Sequence, residues 1–180
     1  SRWWGCIRLE AEVTPASDTA DSTLELVGES DSDRAFLARL YASTRMEELA
    51  PLPWSDDQKL EFLRAQFEAQ DQHYREYYAD TDRRLIEIDG ARAGRLYIQD
   101  REHELRIVDI ALLPEFRGRG VGGRLIGQVL DQAGAAGKAV RIHVEKNNPA
   151  YRLYRRLGFN TLEDKGVYDL LEWRDAGQPA

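Results

Sequence analysis

Between Glu104 and Ala136 the chain reads as strand, glycine-rich loop, helix, and no other stretch constrains the fold as much. Side chains alternate faces along a strand, so Glu104 to Leu112 is expected to place Val108, Ile110 and Leu112 on one face and Ile107, Asp109 and Ala111 on the other. From about Val121 to Ala136 the residues Leu125, Val129 and Ala133 recur four apart, with Gly137 past the end, as in a helix that packs one face. The connection carries Arg117-Gly118-Arg119-Gly120-Val121-Gly122. Amides at a helix start have no intrahelical partner, and the helix dipole adds partial positive charge, so this junction suits an anion. Glycines let a phosphate approach the main chain, and Arg117 and Arg119 bring full charge to the same place. A turn that needs glycine for backbone reasons alone is the plainer alternative. Arginines interleaved with three glycines suit a polyphosphate better.

The loop also matches the dinucleotide fingerprint as Gly118-x-Gly120-x-x-Gly123, with Glu145 about 20 residues beyond it. Three observations weigh against a nicotinamide-dependent enzyme. The loop comes late, leaving too little chain for the rest of a doubly wound sheet. A hairpin signal, Asp89-Gly90, precedes it. The two arginines are unusual where backbone and dipole normally suffice.

Around this unit the chain alternates short strands and helices, a mixed α/β pattern with an antiparallel hairpin early and a βαβ unit late. Leu24 to Val27 is a candidate strand. Asp31 or Ser32 is expected to cap a helix that puts Phe36, Leu37, Leu40 and Tyr41 on one face. Ser55 with Gln58 fits a capping box for a second helix, whose stripe is Leu60, Leu63, Phe67, Tyr74 and Tyr78. Strands follow over Arg84 to Ile88 and Arg92 to Gln99. After the glycine loop and its helix come a strand over Lys138 to Glu145, a helix capped by Asn148 and stopped at Gly158, and strands over Phe159 to Leu162 and Val167 to Trp173. Residues 1–22 show no sustained period and are expected to form a poorly ordered or peripheral extension, residues 23–174 a single domain, and residues 175–180 a tail.

Of the 180 residues, 42% are apolar and 32% charged, with net charge −7, which disfavours a nucleic-acid binder and allows a cationic partner. Cys6 is the only cysteine, which excludes an intrachain disulfide and fits a reducing cytoplasm. No apolar run is long enough for a transmembrane helix, Trp3 and Trp4 are not followed by a signal-peptide core, and no metal site is expected.

The stretch Asp109-Ile-Ala-Leu-Leu-Pro-Glu-Phe-Arg-Gly-Arg-Gly-Val-Gly resembles the coenzyme A signature of the GNAT superfamily of N-acyltransferases, with its Arg/Gln-x-x-Gly-x-Gly/Ala core. Downstream, Asn148-Pro-Ala-Tyr-Arg-Leu-Tyr154-Arg-Arg-Leu-Gly158-Phe159 resembles that superfamily's second signature. One helix and one strand separate them, as that family requires. Element order follows the resemblance over roughly residues 24–173, and motif detail over 105–160. The resemblance implies a mixed, mostly antiparallel central sheet of about six to seven strands, flanked by about four helices and splayed between its two central parallel strands. It further implies acetyl-coenzyme A as cofactor. Backbone groups of Ile110, Ala111 and Leu112 would face pantetheine, Arg117, Gly118, Arg119, Gly120, Val121 and Gly122 would hold the pyrophosphate, and Asn148 and Tyr154 would sit near the thioester.

The chemistry so implied is attack of a neutral primary amine on the thioester. An alkylamine of pKa about 10.4 is mostly protonated at neutral pH, so a base must take its proton and an acid must serve the leaving thiolate. Tyr154 matches the superfamily's general acid; a satisfied structural tyrosine is the alternative. Asp109, a carboxylate among apolar strand neighbours, must be paired or functional. It ranks first as base, ahead of Glu145 and then His143. The acceptor region of similar proteins corresponds here to Arg45, Glu47, Glu48 and Trp54, with Gln66, Gln70 and His73 near the apolar stripe. Glu47, Glu48, Trp54 and Asp109 are the candidate substrate contacts, although Glu47 and Glu48 also read as a solvated acidic turn. The expectation is a cytoplasmic N-acetyltransferase, monomer or homodimer, acting on a small-molecule or peptide amine. A non-catalytic acyl-coenzyme A-sensing module is the alternative from another class.

Overall fold

Leu24–Gly28 forms the first strand, β1, and the described part of the chain runs on to Gly177: the computed structural model describes residues 22–177. The expected extension over residues 1–22, save Ser22, and the end of the expected tail lie outside the described residues. A turn of 3-10 helix, Asp31–Asp33, leads into α1 (Arg34–Arg45). The cap is Ser30, one residue before the expected Asp31 or Ser32; its amide and hydroxyl both donate to the Asp33 carboxylate, at 2.9 and 2.8 Å. A second 3-10 turn, Met46–Leu49, and the Pro51–Pro53 break precede α2 (Asp56–Tyr77). Here the Ser55–Gln58 capping box forms as expected, Gln58 Oε1 accepting from Ser55 N at 2.9 Å and Ser55 Oγ from Gln58 N at 3.3 Å.

Next come β2 (Thr81–Ile88) and β3 (Ala91–Asp100), joined at Asp89 and Gly90, whose φ angles of 51° and 77° are those of a two-residue hairpin turn. Then follow β4 (Glu104–Leu112), α3 (Val121–Ala135), β5 (Ala139–Glu145), α4 (Tyr151–Arg156), β6 (Asn160–Lys165) and β7 (Tyr168–Trp173). The sheet order is β1-β2-β3-β4-β5-β7-β6. Among these strands only β4 and β5 run parallel, and helix α3 makes their crossover.

Helices cover both faces. On one, Leu125, Ile126 and Val129 of α3 and Leu153 and Tyr154 of α4 pack on Ile86, Leu96, Ile107, Ile110, Ile142 and Leu171. On the other, Leu37 and Tyr41 of α1 and Leu63 and Phe67 of α2 meet Leu85, while Leu40 meets Ala111 and Leu113. Leu60, expected in the α2 stripe, is 47% exposed, and the buried row of α2 begins at Leu63.

The register of β4 corrects the expected faces. Tyr97 pairs with Asp109 but Ile98 pairs with Ile107, so Val108 is an inserted residue. A bulge resets the alternation. Ile107 therefore shares the α3 face with Ile110 and Leu112, and Asp109 and Ala111 turn to the α1–α2 face without it. β4 and β5 pair only from Glu104↔Ala139 to Ile107↔Ile142. Beyond that β4 keeps β3 and β5 keeps β7, so the two central strands part just where β4 bulges.

At the parting, β3 crowds β4. A Cβ on Gly94 would lie 2.1 Å from the Ala111 carbonyl oxygen and 2.9 Å from Leu112 Cδ2. Neither backbone can yield cheaply, since both are locked in the ladder. Gly94→Ala is therefore expected to destabilise the fold by about 1–3 kcal/mol, the usual cost of overpacking. Chemical denaturation checks it; an unchanged midpoint would show that β4 is free to move away from β3.

Candidate active site

The glycine loop follows the end of β4 that β5 leaves unpaired. A 3-10 turn, Pro114–Phe116, ends β4, and Gly118 and Gly120 adopt φ of 70° and 75°, a left-handed backbone open to glycine without strain. This winds the chain so that α3 begins beside the end of β4. Arg124 N bonds Gly120 O at 3.1 Å, closing the first helical turn. Among the described residues no acceptor takes the amides from Gly118 to Gly123. A Cβ built on Gly120 meets nothing within 4 Å, so the loop presents bare backbone outward.

The two loop arginines differ. Arg117 folds back: its Nε donates to the Leu112 carbonyl at 2.9 Å and ties the loop to the strand end. That occupies part of a backbone group expected to face pantetheine. Arg119 is exposed, its guanidinium 6.0 Å over the Phe116 ring.

Helix α4 buries Tyr154 in the core on the α3 face of the sheet. Asn148 Oδ1 accepts from Ala150 N at 2.8 Å and Gly158 turns at φ 93°, which fixes both ends of this short helix. The Tyr154 ring stacks edge-on to Phe159 at 5.5 Å. Its hydroxyl is wholly buried and has no hydrogen-bond partner among the described residues. Burial pushes the phenol above its ordinary value, and the Asp109 charge pushes it further, so Tyr154 stays protonated across the physiological range.

Asp109 faces the α1–α2 side and is also wholly buried. Arg95 Nη2, on β3, donates to its Oδ2 at 2.6 Å, and the Tyr74 hydroxyl, on α2, to the same oxygen at 3.0 Å. Oδ1 has no partner among the described residues. Burial raises the carboxyl above the ordinary carboxylate range; Arg95, Tyr74 and, more distantly, Arg45 pull the other way. Arg45 lies at the end of α1 and holds both oxygens of Glu48 at 3.0 Å, so the corner with exposed Glu47 and Glu48 is electrostatically linked to Asp109. Trp54, on the connection into α2, is 38% exposed and packs edge-on to Phe62 at 5.3 Å.

Across the parting, His143 follows the last β5 residue paired with β4. Its Nδ1 lies 3.4 Å from Arg106 Nη1. Burial, then the charges of Arg106 and Lys165, push the imidazole down to about 4, so His143 is neutral at physiological pH. Glu145, half-buried, ends β5 against Tyr168. His73 stacks on Tyr77 at 4.7 Å and Gln66 receives the Tyr41 hydroxyl at 3.4 Å, so both are engaged within the α1–α2 layer.

Tyr154 on one face of the sheet and Asp109 on the other are thus close enough for the Asp109 charge to act on the phenol, and the glycine loop follows the end of β4. The sequence reading passed over Arg95 and gave Gln70 and Tyr74 no part in the charge arrangement; Gln70 Oε1 accepts from Arg95 Nη2 at 2.8 Å. One signal for Arg95 existed, an arginine inside an apolar strand with an aspartate inside the next. In an antiparallel pair such residues meet directly or diagonally. The bulge at Val108 hid the register that joins them.

Residues 38–159, more than half of the chain, match the acetyltransferase (GNAT) family. A stretch of 59 residues is 41% identical to an uncharacterized protein of Mycobacterium leprae (strain TN), covering 33% of this chain and 16% of that much longer protein. Among solved structures, the PaiA N-acetyltransferase of Thermoplasma acidophilum in complex with coenzyme A aligns with a TM-score of 0.65 at 15% identity, over 85% of this chain and 99% of its own. Arabidopsis thaliana Naa50, in complex with the bisubstrate analogue CoA-Ac-MVNAL, gives 0.56 at 18% identity, over 84% and 99%. A GNAT family acetyltransferase of Elizabethkingia anophelis with acetyl-CoA bound gives 0.57 at 16%, over 87% and 99%. At these identities the likeness is one of fold, and it includes the mostly antiparallel sheet with its central parallel pair. Family match, sheet topology and both signature segments agree: the chain belongs to the GNAT family of acetyltransferases.

Proposed function

We propose that this chain moves an acetyl group from acetyl-coenzyme A to a primary amine of a small molecule or peptide, by direct attack of the amine. The observation that carries this reading is a pair of buried polar atoms. Tyr154 Oη and Asp109 Oδ1 lie by one parting of the sheet, both without a hydrogen-bond partner among the described residues. Leaving such a group unsatisfied costs about 1–3 kcal/mol. A module that only binds acyl-coenzyme A needs neither atom, so the arrangement favours catalysis.

The residues fit the cofactor. Bare amides from Gly118 to Gly123, Arg119 beside them and the dipole of α3 suit a diphosphate. Arg117 braces the loop while adding its charge. The backbone of Ile110, Ala111 and Leu112, which β5 does not pair, offers an extended arm a strand to lie along. Asn148 shapes the start of the helix that carries Tyr154. When bound, acetyl-coenzyme A supplies an activated acyl carbon with a thiolate leaving group.

The protein's own groups supply the proton handling. Tyr154, neutral and dry, holds its proton at Oη, which is what a general acid requires. Asp109 offers Oδ1 to the proton of the incoming ammonium, directly or through water. Glu145, at the end of β5, is the second candidate for that task. His143 is neutral but weakly basic and ranks below both. The corner of Glu47 and Glu48, with Trp54 at the entry to α2, provides charge for an ammonium and an apolar surface beside it. In the same proposal the protein works in the cytoplasm, as monomer or homodimer, and needs neither nucleic acid, membrane nor metal.

Thiol release from acetyl-coenzyme A across an amine panel tests the reading; tight coenzyme A binding without turnover on any amine would favour the sensing module. Tyr154→Phe is expected to lower kcat by about 10²-fold or more, the range for a lost general acid, with KM for acetyl-coenzyme A nearly unchanged. The same variant should be at least as stable as the parent, since it removes a buried hydroxyl with no hydrogen-bond partner among the described residues. A large loss of stability would mark Tyr154 as structural. Gly120→Glu is expected to abolish coenzyme A binding, measured by calorimetry, while circular dichroism shows an intact fold, because it sets bulk and negative charge among the amides. Unchanged affinity would sink the loop assignment.

A further inference from the structure

The Asp109 ion pair is built unlike one that serves the fold alone. Arginine's planar fork matches both oxygens of a carboxylate, and buried pairs gain from that bidentate geometry. Here both donors, Arg95 Nη2 at 2.6 Å and the Tyr74 hydroxyl at 3.0 Å, fall on Oδ2, and Oδ1 receives none among the described residues. Arg95 is itself held in place. Its Nη2 also donates to Gln70 Oε1 at 2.8 Å, and its guanidinium lies 5.1 Å over the Tyr97 ring. Tyr97 meets Tyr74 edge-on at 6.0 Å, so Gln70, Tyr74, Arg95 and Tyr97 form one buried frame between α2 and β3.

We propose that Arg95 is a positioning residue for acyl transfer: with Tyr74 it pins Asp109 through one oxygen, so that the other is presented, ionised, to the acceptor amine beside the parting of β4 and β5. This rests on the reading above that Asp109 takes the amine's proton. The frame answers a physical conflict. A carboxylate in a dry site tends to protonate, and a protonated Asp109 accepts nothing. The groups facing it are Arg95 and Tyr97 from β3, Tyr74 and Gln70 from α2, Arg45 from the end of α1 and Tyr154 from α4. Only the two arginines among these carry charge, and Arg95 alone of the two touches Asp109.

The test compares the pH dependence of kcat/KM in the parent, Arg95→Gln, Arg95→Lys and Tyr74→Phe, using acetyl-coenzyme A and the fastest amine of a panel holding spermidine, lysine and a peptide N-terminus. Losing Arg95 removes the main charge that favours the carboxylate. The acid limb of Arg95→Gln is therefore expected to move up by about one pH unit or more, a tenfold change in the proton equilibrium. KM for acetyl-coenzyme A should hold. Arg95→Lys should restore most of the position of the limb, and Tyr74→Phe should move it in the same direction by less. A uniform fall in rate with the acid limb unmoved in Arg95→Gln and Tyr74→Phe would overturn the proposal and leave Arg95 a structural residue. Should Arg95→Gln not fold, Tyr74→Phe against Arg95→Lys decides by the same criterion. Should no amine turn over, the reading beneath fails by itself. The arrangement is then judged by carbon NMR titration of the Asp109 carboxyl, assigned with Asp109→Asn, where an unmoved midpoint in Arg95→Gln and Tyr74→Phe counts against it.

Discussion

The parting of β4 from β5 is the constraint on which the rest of the site depends. A parallel pair buried between two helical layers would normally run its ladder to the ends, because an unpaired buried amide or carbonyl costs as much as a lost hydrogen bond. Here the ladder stops at Ile107↔Ile142. Beyond the inserted Val108, β4 keeps its ladder with β3, and the missing Cβ at Gly94 lets the two backbones lie close at Ala111. The result is a strand edge inside the molecule, flanked by Tyr154 from one helical layer and Asp109 on the other face. Edges are usually covered because they recruit another strand. In the proposed function this interior edge would turn the same property to use and take an extended ligand.

The dry setting explains why the charges are arranged with such asymmetry. In a low-dielectric site a phenol keeps its proton and a carboxylate tends to gain one, so burial alone would leave both partners neutral. The proposed acid–base chemistry would need one of each state. Burial supplies the neutral Tyr154, and Arg95 with Tyr74 supplies the counterweight at Asp109. Replacing such a pair with apolar residues often leaves stability the same or better, so a buried Arg–Asp pair is weak evidence for stabilisation, in keeping with the proposed role of the carboxylate.

How much of this was legible in the sequence follows from how each half is built. The glycine loop is a contiguous segment between β4 and α3, so glycines at fixed spacing before a helical stripe marked its place in the chain; the left-handed turns at Gly118 and Gly120 emerge only in the fold. Strand β4 was bounded correctly, yet Ile107, just before Val108, was assigned to the wrong face, because a bulge changes register without leaving a compositional mark. The inward loop arginine was also out of reach: nothing in Arg117-Gly118-Arg119 says that the first bonds Leu112 and the second faces solvent.

The acceptor half was less legible because it is assembled from side chains far apart in the chain. Arg45 closes α1, Gln70 and Tyr74 lie late in α2, Arg95 sits on β3 and Asp109 on β4, and only the folded register unites them. Periodicity assigned Tyr74 correctly to the buried stripe, yet the position fills space and donates a hydrogen bond to Asp109 as well. That dual use has a consequence for how such enzymes diverge. The donor side is fixed by backbone and tolerates little change, whereas the acceptor side can be altered one side chain at a time on a frame the core already supports. In the proposed reaction, specificity for the amine would lie in the corner of Arg45, Glu47 and Glu48 and in what reaches Asp109 from it, on a frame supported by the sheet beneath.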